Sequence, residues 1–257
     1  MLVLSDIHFA LEPLRRVVAT GETLLILGDL VNLTDYRTGE GAVAEVLGID
    51  FARASASARG AGNYQQMRGL WLERVGERVE EVRAAIGEAI DAQYSKISEA
   101  LRGGHGYVIH GNVDRPRSLE RALPPGYEYV HGQTREIEGL RFGFVGGGAA
   151  TPLQAEGEVP DQTMEELLDR LGPVDVLCTH VAPALDPLQT DVVTGRAERG
   201  SAPLLGFIRA HRPRLHLFGD VHQPQASTWR VGPTHCRNVG YFRATERAVP
   251  LDVTRLE

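Results

Sequence analysis

Long apolar runs are missing from this chain of 257 residues. A membrane-spanning helix needs about 20 consecutive apolar residues, and no stretch of this chain approaches that length, which excludes a helical membrane protein. The N-terminus shows no secretory signal either, because Met1 is followed directly by an apolar segment typical of a core strand. We therefore expect a cytoplasmic protein without a membrane partner.

Cysteine and lysine are also scarce. The two cysteines, Cys178 and Cys236, lie in apolar segments, which predicts buried free thiols rather than a disulfide framework. Of the 27 basic residues only Lys96 is a lysine, and the formal net charge is −7. This charge disfavours duplex nucleic acid and anionic lipid as partners, although it leaves room for a local basic pocket that binds phosphate.

Short apolar segments alternate with amphipathic ones in the first half of the chain, a pattern typical of an α/β domain. The second half places strands at closer spacing, and residues 127–130, 133–137 and 141–145 predict hairpins. We expect one domain over residues 1–257. Further elements are predicted as strands at residues 2–5, 23–27, 107–110, 174–179 and 215–218, and as helices at 11–20, 162–171 and 202–211.

Residues 33–102 interrupt this alternation and predict a helical insert, or cap, within the domain. Apolar residues recur at steps of three or four over residues 64–101, which indicates one long amphipathic helix. Gly76 is among the glycines that are candidate bends in it. Residues 42–59 predict a shorter partner helix. The apolar stripe suits either a lid over the site or a homo-oligomer interface.

Polar side chains terminate five of the apolar strands. Because ligands collect at the carboxyl ends of strands in such sheets, we expect these groups to share one site. Asp-x-His on an extended chain would place both side chains on one face, where they could bind one metal ion. Buried carboxylates and imidazoles of this kind must be paired or ligated. The groups are Asp6 with His8, Asp29, Asn112 with Asp114, His180, and Asp220 with His222.

These strand-end blocks resemble, in order, the motifs of the calcineurin-like metallophosphoesterase family. That family carries Asp-x-His, Gly-Asp-x-x-(Asp/Asn), Gly-Asn-His-(Asp/Glu), a strand-end His, and Gly-His-x-His. The resemblance implies a four-layer α/β/β/α sandwich with two mixed β-sheets. The corresponding blocks here are Asp6-Ile7-His8, Gly28-Asp29-Leu30-Val31-Asn32, Gly111-Asn112-Val113-Asp114, Thr179-His180 and Gly219-Asp220-Val221-His222.

The resemblance also implies a dinuclear metal site and a phosphate-ester hydrolase that uses in-line attack by a metal-bridging hydroxide. Mn²⁺ is favoured, with Fe, Zn²⁺ or Mg²⁺ as alternatives. Asp29 would bridge the ions, and Asp29, Asn112 and Asp114 form the expected catalytic set. Asn32 and Asp114 would orient ligands by hydrogen bonds. By the same resemblance, Asp6, His8, Asp29 and His222 hold the first ion, and Asp29, Asn112, His180 and Asp220 the second.

Two positions depart from the family pattern. Val113 stands where many members have a histidine that can protonate the leaving group, so a phosphodiester or an activated ester is favoured over a monoester. His110 could substitute, but strand direction favours a structural role. Asp220 replaces the first histidine of Gly-His-x-His, which adds negative charge and favours Mn²⁺ or Mg²⁺ at the second position.

The substrate is expected to be a small phosphate ester held by cationic and aromatic side chains next to the metal blocks. A non-catalytic scaffold with the same fold is the alternative function, and an exonuclease is disfavoured by the acidic net charge. Gly146, Gly147 and Gly148 would permit close backbone approach to the pocket. The candidate substrate-binding residues are Arg115, Arg196, Arg199, Tyr36 and Arg37.

Overall fold

Two mixed β-sheets and their covering helices form an α/β sandwich in the computed structural model, which describes residues 1–193 and 195–255. The strands are β1 (Leu2–Leu4), β2 (Leu24–Leu27), β3 (Gly106–Ile109), β4 (Tyr127–Tyr129), β5 (Gln133–Ile137), β6 (Leu140–Val145), β7 (Gly148–Ala149), β8 (Glu158–Val159), β9 (Val176–Thr179), β10 (Thr190–Asp191), β11 (Arg196–Ala197), β12 (Leu215–Phe218), β13 (Thr228–Val231), β14 (Thr234–Asn238) and β15 (Val249–Pro250). The helices are α1 (Leu11–Val18), α2 (Ala42–Leu47), α3 (Ile49–Gly60), α4 (Tyr64–Val75), α5 (Val79–Leu101), α6 (Pro116–Ala122), α7 (Asp161–Leu171), α8 (Asp186–Gln189), α9 (Ala202–His211) and α10 (Phe242–Thr245), followed by a 3₁₀ turn at Val253–Arg255.

The first sheet has the order β15-β1-β2-β3-β4, and only β15 runs antiparallel to its neighbour. The second sheet has the order β13-β14-β12-β9-β6-β5, with antiparallel strands at both edges. The predicted α/β class with two mixed sheets is confirmed. Parallel central strands bring their carboxyl ends to one edge of each sheet, which is where the polar blocks lie.

The prediction that residues 127–130 belong to a hairpin is wrong. Strand β4 pairs in parallel with β3 in the first sheet, with Gly106 opposite Tyr127. Helix α6 lies between these two strands, and a helical crossover is the connection that a parallel pair requires. Only β5 and β6 form the hairpin in this part of the chain, with Ile137 opposite Leu140.

Three apolar clusters account for the layers. The first packs β1, β2 and β3 against α1, α5 and α6 through residues such as Ile26, Leu14 and Ile90. The second lies between the two sheets and contains Leu25 and Phe144. The third packs the second sheet against α7 and α9. Buried strands covered on both faces explain why these segments are apolar throughout rather than alternating.

The predicted helices of residues 33–102 are each divided by a glycine. Gly76, at φ +56°, separates α4 from α5, and Gly48, at φ +91°, separates α2 from α3. Positive φ is readily adopted only by glycine, so the chain turns there although the apolar stripe continues. Helix α5 packs into the core over the first sheet, whereas α3 and α4 stand above the strand ends.

Cys178 and Cys236 are both buried and unpaired, as predicted. Both pack against apolar side chains in the second sheet. Within the described residues, every helix is too short or too polar to traverse a lipid bilayer.

Candidate metal centre

Seven predicted ligand residues meet where the carboxyl ends of the two sheets face each other. Asp6 and His8 follow β1, Asp29 follows β2, and Asn112 follows β3. The second sheet contributes the remaining three, namely His180 after β9, and Asp220 and His222 after β12.

Two groups within this set could hold a metal ion. The first consists of Asp6, His8 and His222, and the second of Asp6, Asp29 and His180. The potential ligand atoms in each group lie within 4.8 Å of one another. His222 Nε2 is 3.4 Å from Asp6 Oδ1, and His180 Nε2 is 3.5 Å from Asp29 Oδ1. The structure therefore contains adjacent, buried Asp/His groups that share one carboxylate.

Hydrogen bonds behind the imidazoles orient their free nitrogens toward the centre. His8 Nδ1 lies 3.2 Å from the Val31 carbonyl oxygen, and His180 Nδ1 lies 2.8 Å from that of Leu27. Each Nδ1–H must donate to its carbonyl, which leaves the Nε2 lone pair of the same ring available for a ligand. Buttressing of this kind is typical of metal-binding histidines.

Acceptor atoms crowd the centre. His8 Nε2 lies 3.2 Å from His222 Nε2, and Asp6 Oδ1, which is buried, accepts no hydrogen bond from any described residue. One carboxamide atom of Asn112 points at both Asp29 oxygens, at 3.2 and 3.0 Å, and at His180 Nε2, at 3.3 Å. As a nitrogen, this atom donates to the Asp29 carboxylate, and as an oxygen it would need a cation between itself and that carboxylate. The donor set therefore fits divalent cations bound by oxygen and imidazole ligands.

Burial and mutual charge shift the titration of the whole cluster. Burial alone would raise the pKa of Asp29, but the charges of His180 and then His8 hold that pKa well below its usual range. Burial raises the pKa of Asp220 to about 7, with His180 opposing the shift and Asp29 adding to it. Burial is also the first cause of the lowered pKa of His8, which favours the neutral imidazole that a metal requires.

Left-handed backbone, rather than extended chain, aims the ligands. Asp6, His8, Asp29 and Asp220 have φ values of 57°, 40°, 55° and 68°. Together with Phe9 they make up five of the nine non-glycine residues with positive φ in the described chain. The two Asp-x-His pairs do reach one centre, but by turning just beyond their strands, not by side-chain alternation. Such conformations cluster where function requires a fixed geometry.

Two glycines allow the loops after β2 and β3 to touch. A Cβ at Gly111 would lie 2.1 Å from Asp29 Oδ1, and one at Gly28 would lie 2.5 Å from the Gly111 nitrogen. Either contact is far shorter than real Cβ atoms tolerate, so the Asp29 carboxylate occupies space that only glycine leaves open.

Asp114 organises the loops from below and does not face the cavity. Its Oδ2 accepts the backbone N–H groups of Asp29, at 2.8 Å, and Gly111, at 2.9 Å. Its Oδ1 accepts that of Leu30 at 3.1 Å and the Tyr94 hydroxyl at 3.1 Å. Burial and then the Asp29 charge raise the pKa of Asp114 to about 6. Cations bound to Asp29 would offset its negative charge and so favour the ionised form of Asp114, which accepts all of these hydrogen bonds.

Asn32 and His110, both weighed from the sequence, turn away from the ligands. The Asn32 side chain donates to the Glu40 carbonyl, 3.3 Å away, so it stabilises the start of the insert and does not orient a ligand. His110 Nδ1 lies 2.7 Å from the Tyr129 hydroxyl. Burial lowers the pKa of His110 to about 3, and the ring packs against Gly146 and Gly147. A structural role for His110 accounts for these contacts.

A cavity of about 1110 Å³ rises from the ligands toward the insert. Tyr36, Arg37, Arg196 and Arg199 line it, and so does the Val113 side chain. Of the three consecutive glycines, Gly148 also lines it.

Arg115, predicted to meet the substrate, does not line the cavity above the metal ligands. Its guanidinium lies against Gly87 of α5 and is 3.8 Å from Glu156. The reason is that Arg115 caps the start of α6, and its backbone N–H donates to the Tyr94 hydroxyl at 2.8 Å. This bond holds the backbone of Arg115 against α5.

The residues of this cavity that sequence reasoning missed include Tyr241 and Arg59. The Tyr241 ring stacks on the His222 imidazole, with centroids 3.9 Å apart and planes 4° from parallel. It follows β14, a parallel neighbour of β12, so its position after a strand end was an available signal. Arg59 lies over the Tyr36 ring, 6.0 Å from its centroid. It is on α3, where arginine in a mixed helical pattern gives no such signal.

Comparison with known proteins supports the fold alone. No protein-family model matches the chain, and no curated protein sequence matches it. One solved structure aligns with a TM-score of 0.59 and 18% identity, over 94% of this chain and 90% of its own. Another, TT1561 of Thermus thermophilus, aligns with a TM-score of 0.52 and 16% identity, over 96% of each chain. The architecture is therefore shared by proteins of very different sequence.

Proposed function

We propose that this protein is a divalent-metal-dependent phosphoesterase of the calcineurin-like type, with phosphodiesters favoured as substrates. The observation that carries the proposal is the crowding of acceptors in the centre, above all the buried Asp6 Oδ1, which has no hydrogen-bond partner among the described residues, and His8 Nε2, whose ring already donates through Nδ1. Acceptors arranged in this way are costly unless cations lie among them. The order of the sequence blocks and the α/β sandwich agree with that family.

The residues divide between two cation positions that share the central carboxylates. Asp6, His8 and His222 would hold one ion, and Asn112, His180 and Asp220 the other, with Asp29 contributing to both. When bound, such ions supply Lewis acids for the phosphate oxygens and lower the pKa of an attacking water molecule. The oxygen-rich second position suits Mn²⁺ better than a thiophilic ion.

The chain's own groups then set the preference among esters. The Val113 N–H donates to Asp29 Oδ1 at 3.1 Å, which fixes the carboxylate, and Val113 is one of the residues that line the cavity. A valine at this position supplies no proton to the departing oxygen. Substrates with a stable leaving group are therefore favoured, because proton donation contributes typically 10²–10⁴-fold for the others. Arg196 and Arg199 add positive charge on the cavity wall, although each also donates to a backbone carbonyl.

The direct test is hydrolysis of bis-4-nitrophenyl phosphate and of 4-nitrophenyl phosphate in Mn²⁺, with metal analysis of the purified protein. We expect the diester to be the better substrate. Asp29→Ala should abolish turnover and the bound metal, whereas Asp169→Ala, an exposed aspartate on α7, should change neither. Hydrolysis of neither ester with Mn²⁺, Mg²⁺, Zn²⁺ or Fe²⁺ would refute the proposal and favour a non-catalytic scaffold.

A further inference from the structure

A second cavity, of about 320 Å³, opens between α4, α5 and the start of α6. Its lining includes the buried side chains of Val75, Val82 and Ile86. Three arginines, Arg68, Arg83 and Arg115, also line it. At its mouth, Leu72 is 61% exposed and Val79 44% exposed. Covering such exposed apolar side chains with an apolar ligand removes them from water, which lowers the free energy of the system. We call this cavity the groove.

The groove adjoins the cavity above the metal centre. Arg68 and Trp71, both on α4, line the groove and the larger cavity alike. The Trp71 indole is held in place by its Nε1–H, which donates to Ser55 Oγ at 2.8 Å. A fixed aromatic side chain thus lies between the larger cavity and the groove, and the arginine stem adds apolar surface beside it.

Exposed apolar side chains gather around these two openings. The described residues include eight large apolar side chains that are exposed, and five of them line one cavity or the other. Exposed apolar side chains that are scattered singly over a protein surface need no explanation, but a group of them around a cavity opening indicates a binding surface. Tyr36, Leu153 and Val193 stand at the larger cavity, Leu72 and Val79 at the groove, and Ile49, Val192 and Trp229 elsewhere.

We propose that the substrate is an amphiphilic phosphate ester whose alkyl or acyl chain runs past Trp71 into the groove while its phosphate lies at the metal centre. This inference rests on the proposed function and names its substrate class. A second copy of the protein is a poorer occupant, because ten residues line the groove whereas a stable interface uses roughly 20–30 per side. The groove is also concave and shares two lining residues, Arg68 and Trp71, with the larger cavity, so the two lie next to each other.

The kinetic test uses alkyl 4-nitrophenyl phosphates with ethyl, octyl and dodecyl chains, below their micelle concentrations, in Mn²⁺. Water attacks phosphorus and the bond to the nitrophenyl oxygen breaks, so each ester gives an alkyl phosphate and 4-nitrophenol. Since each buried methylene is worth up to about fourfold, kcat/KM should rise at least a hundredfold from ethyl to dodecyl. Equal kcat/KM for all three esters would overturn the substrate class and leave the phosphoesterase standing.

Variants locate the effect. Leu72→Asn combined with Val79→Asn should lower the dodecyl-to-ethyl ratio of kcat/KM at least tenfold. Ile49→Asn, an equally exposed apolar position outside both cavities, should leave that ratio unchanged. If the double variant keeps the wild-type ratio and instead converts a dimer into a monomer in sedimentation, the groove is an interface between copies and the proposal is wrong.

A binding measurement separates this proposal from the proposed function. Trp71 and Trp229 are the two tryptophans, so Trp229→Phe leaves Trp71 as the only one. Dodecylphosphonate should shift the Trp71 emission to shorter wavelength, and ethylphosphonate should not. A shift in a protein that hydrolyses none of the esters would support the groove and refute the phosphoesterase. No shift, together with equal rates for all chain lengths, would refute the groove.

Discussion

Replacing Asp114 by asparagine should destabilise the protein substantially although the side chain keeps its shape. In one amide orientation, the new NH₂ group faces the N–H groups of Asp29 and Gly111, which lose their acceptor. In the other it faces the N–H of Leu30, and the Tyr94 hydroxyl must turn from donor to acceptor. An orphaned buried donor costs about 1–3 kcal/mol, and two or more are orphaned or repelled, so we expect a loss of about 4 kcal/mol.

Urea unfolding in EDTA measures this free energy without a contribution from metal. For a chain of this length, about 4 kcal/mol corresponds to a fall in Tm of roughly 8 °C. Tyr94→Phe removes a single donor to Asp114 and should cost about 1–2 kcal/mol. Asp169→Asn, an exposed position on α7, should stay within about 0.5 kcal/mol of wild type. An Asp114→Asn protein as stable as wild type would refute the role of this carboxylate as the acceptor that joins the loops.

Three further perturbations test other parts of the argument. Gly111→Ala places a Cβ 2.1 Å from Asp29 Oδ1 and should remove the rise in Tm caused by Mn²⁺, whereas Gly69→Ala, with open space around it, should keep that rise. Burial lowers the pKa of His216 in the folded protein to about 3 from its ordinary value of 6.5. Below pH 6.5, His216 therefore binds a proton in the unfolded chain but not in the folded one. Stability is then lost as the pH falls from 7 to 5, by about 2 kcal/mol for this residue, and urea unfolding of His216→Asn should show a correspondingly smaller loss. Val113→His should raise kcat for a phosphate ester with an alkoxide leaving group by about tenfold or more, and an unchanged rate would contradict the assigned position of Val113.

The meeting of the ligands was predictable because it depends on topology. Strand-end positions are visible in the sequence as apolar runs that stop at a polar block, and parallel strands bring such ends together. His180 illustrates this, since it follows β9 and reaches Asp29, 151 positions earlier in the chain, at 3.5 Å. The backbone conformation was not predictable, because the enrichment of Asp and His at positive φ is too weak to single out φ of 40° at His8.

Contacts made across helices were the hardest to predict. Arg115 follows a site block directly, yet its backbone donates to Tyr94 and its guanidinium lies against Gly87, so it does not line the cavity above the metal ligands. Arg59 lies 30 positions from Asp29 and reaches the cavity only because α3 folds back over the strand ends. The positions of the Arg115 and Arg59 side chains do not follow from the sequence pattern around each residue, because they depend on how α3 and α5 pack.

The left-handed ligands have a consequence for protein engineering. A designer who wished to transplant this centre onto another scaffold could not simply place Asp and His side chains on ideal strands. The graft would have to include the turns themselves, with four non-glycine residues at φ between 40° and 68°. Each costs on the order of 1 kcal/mol, less where aspartate can hydrogen-bond locally, so the recipient must have stability to spare before the first ligand is tested.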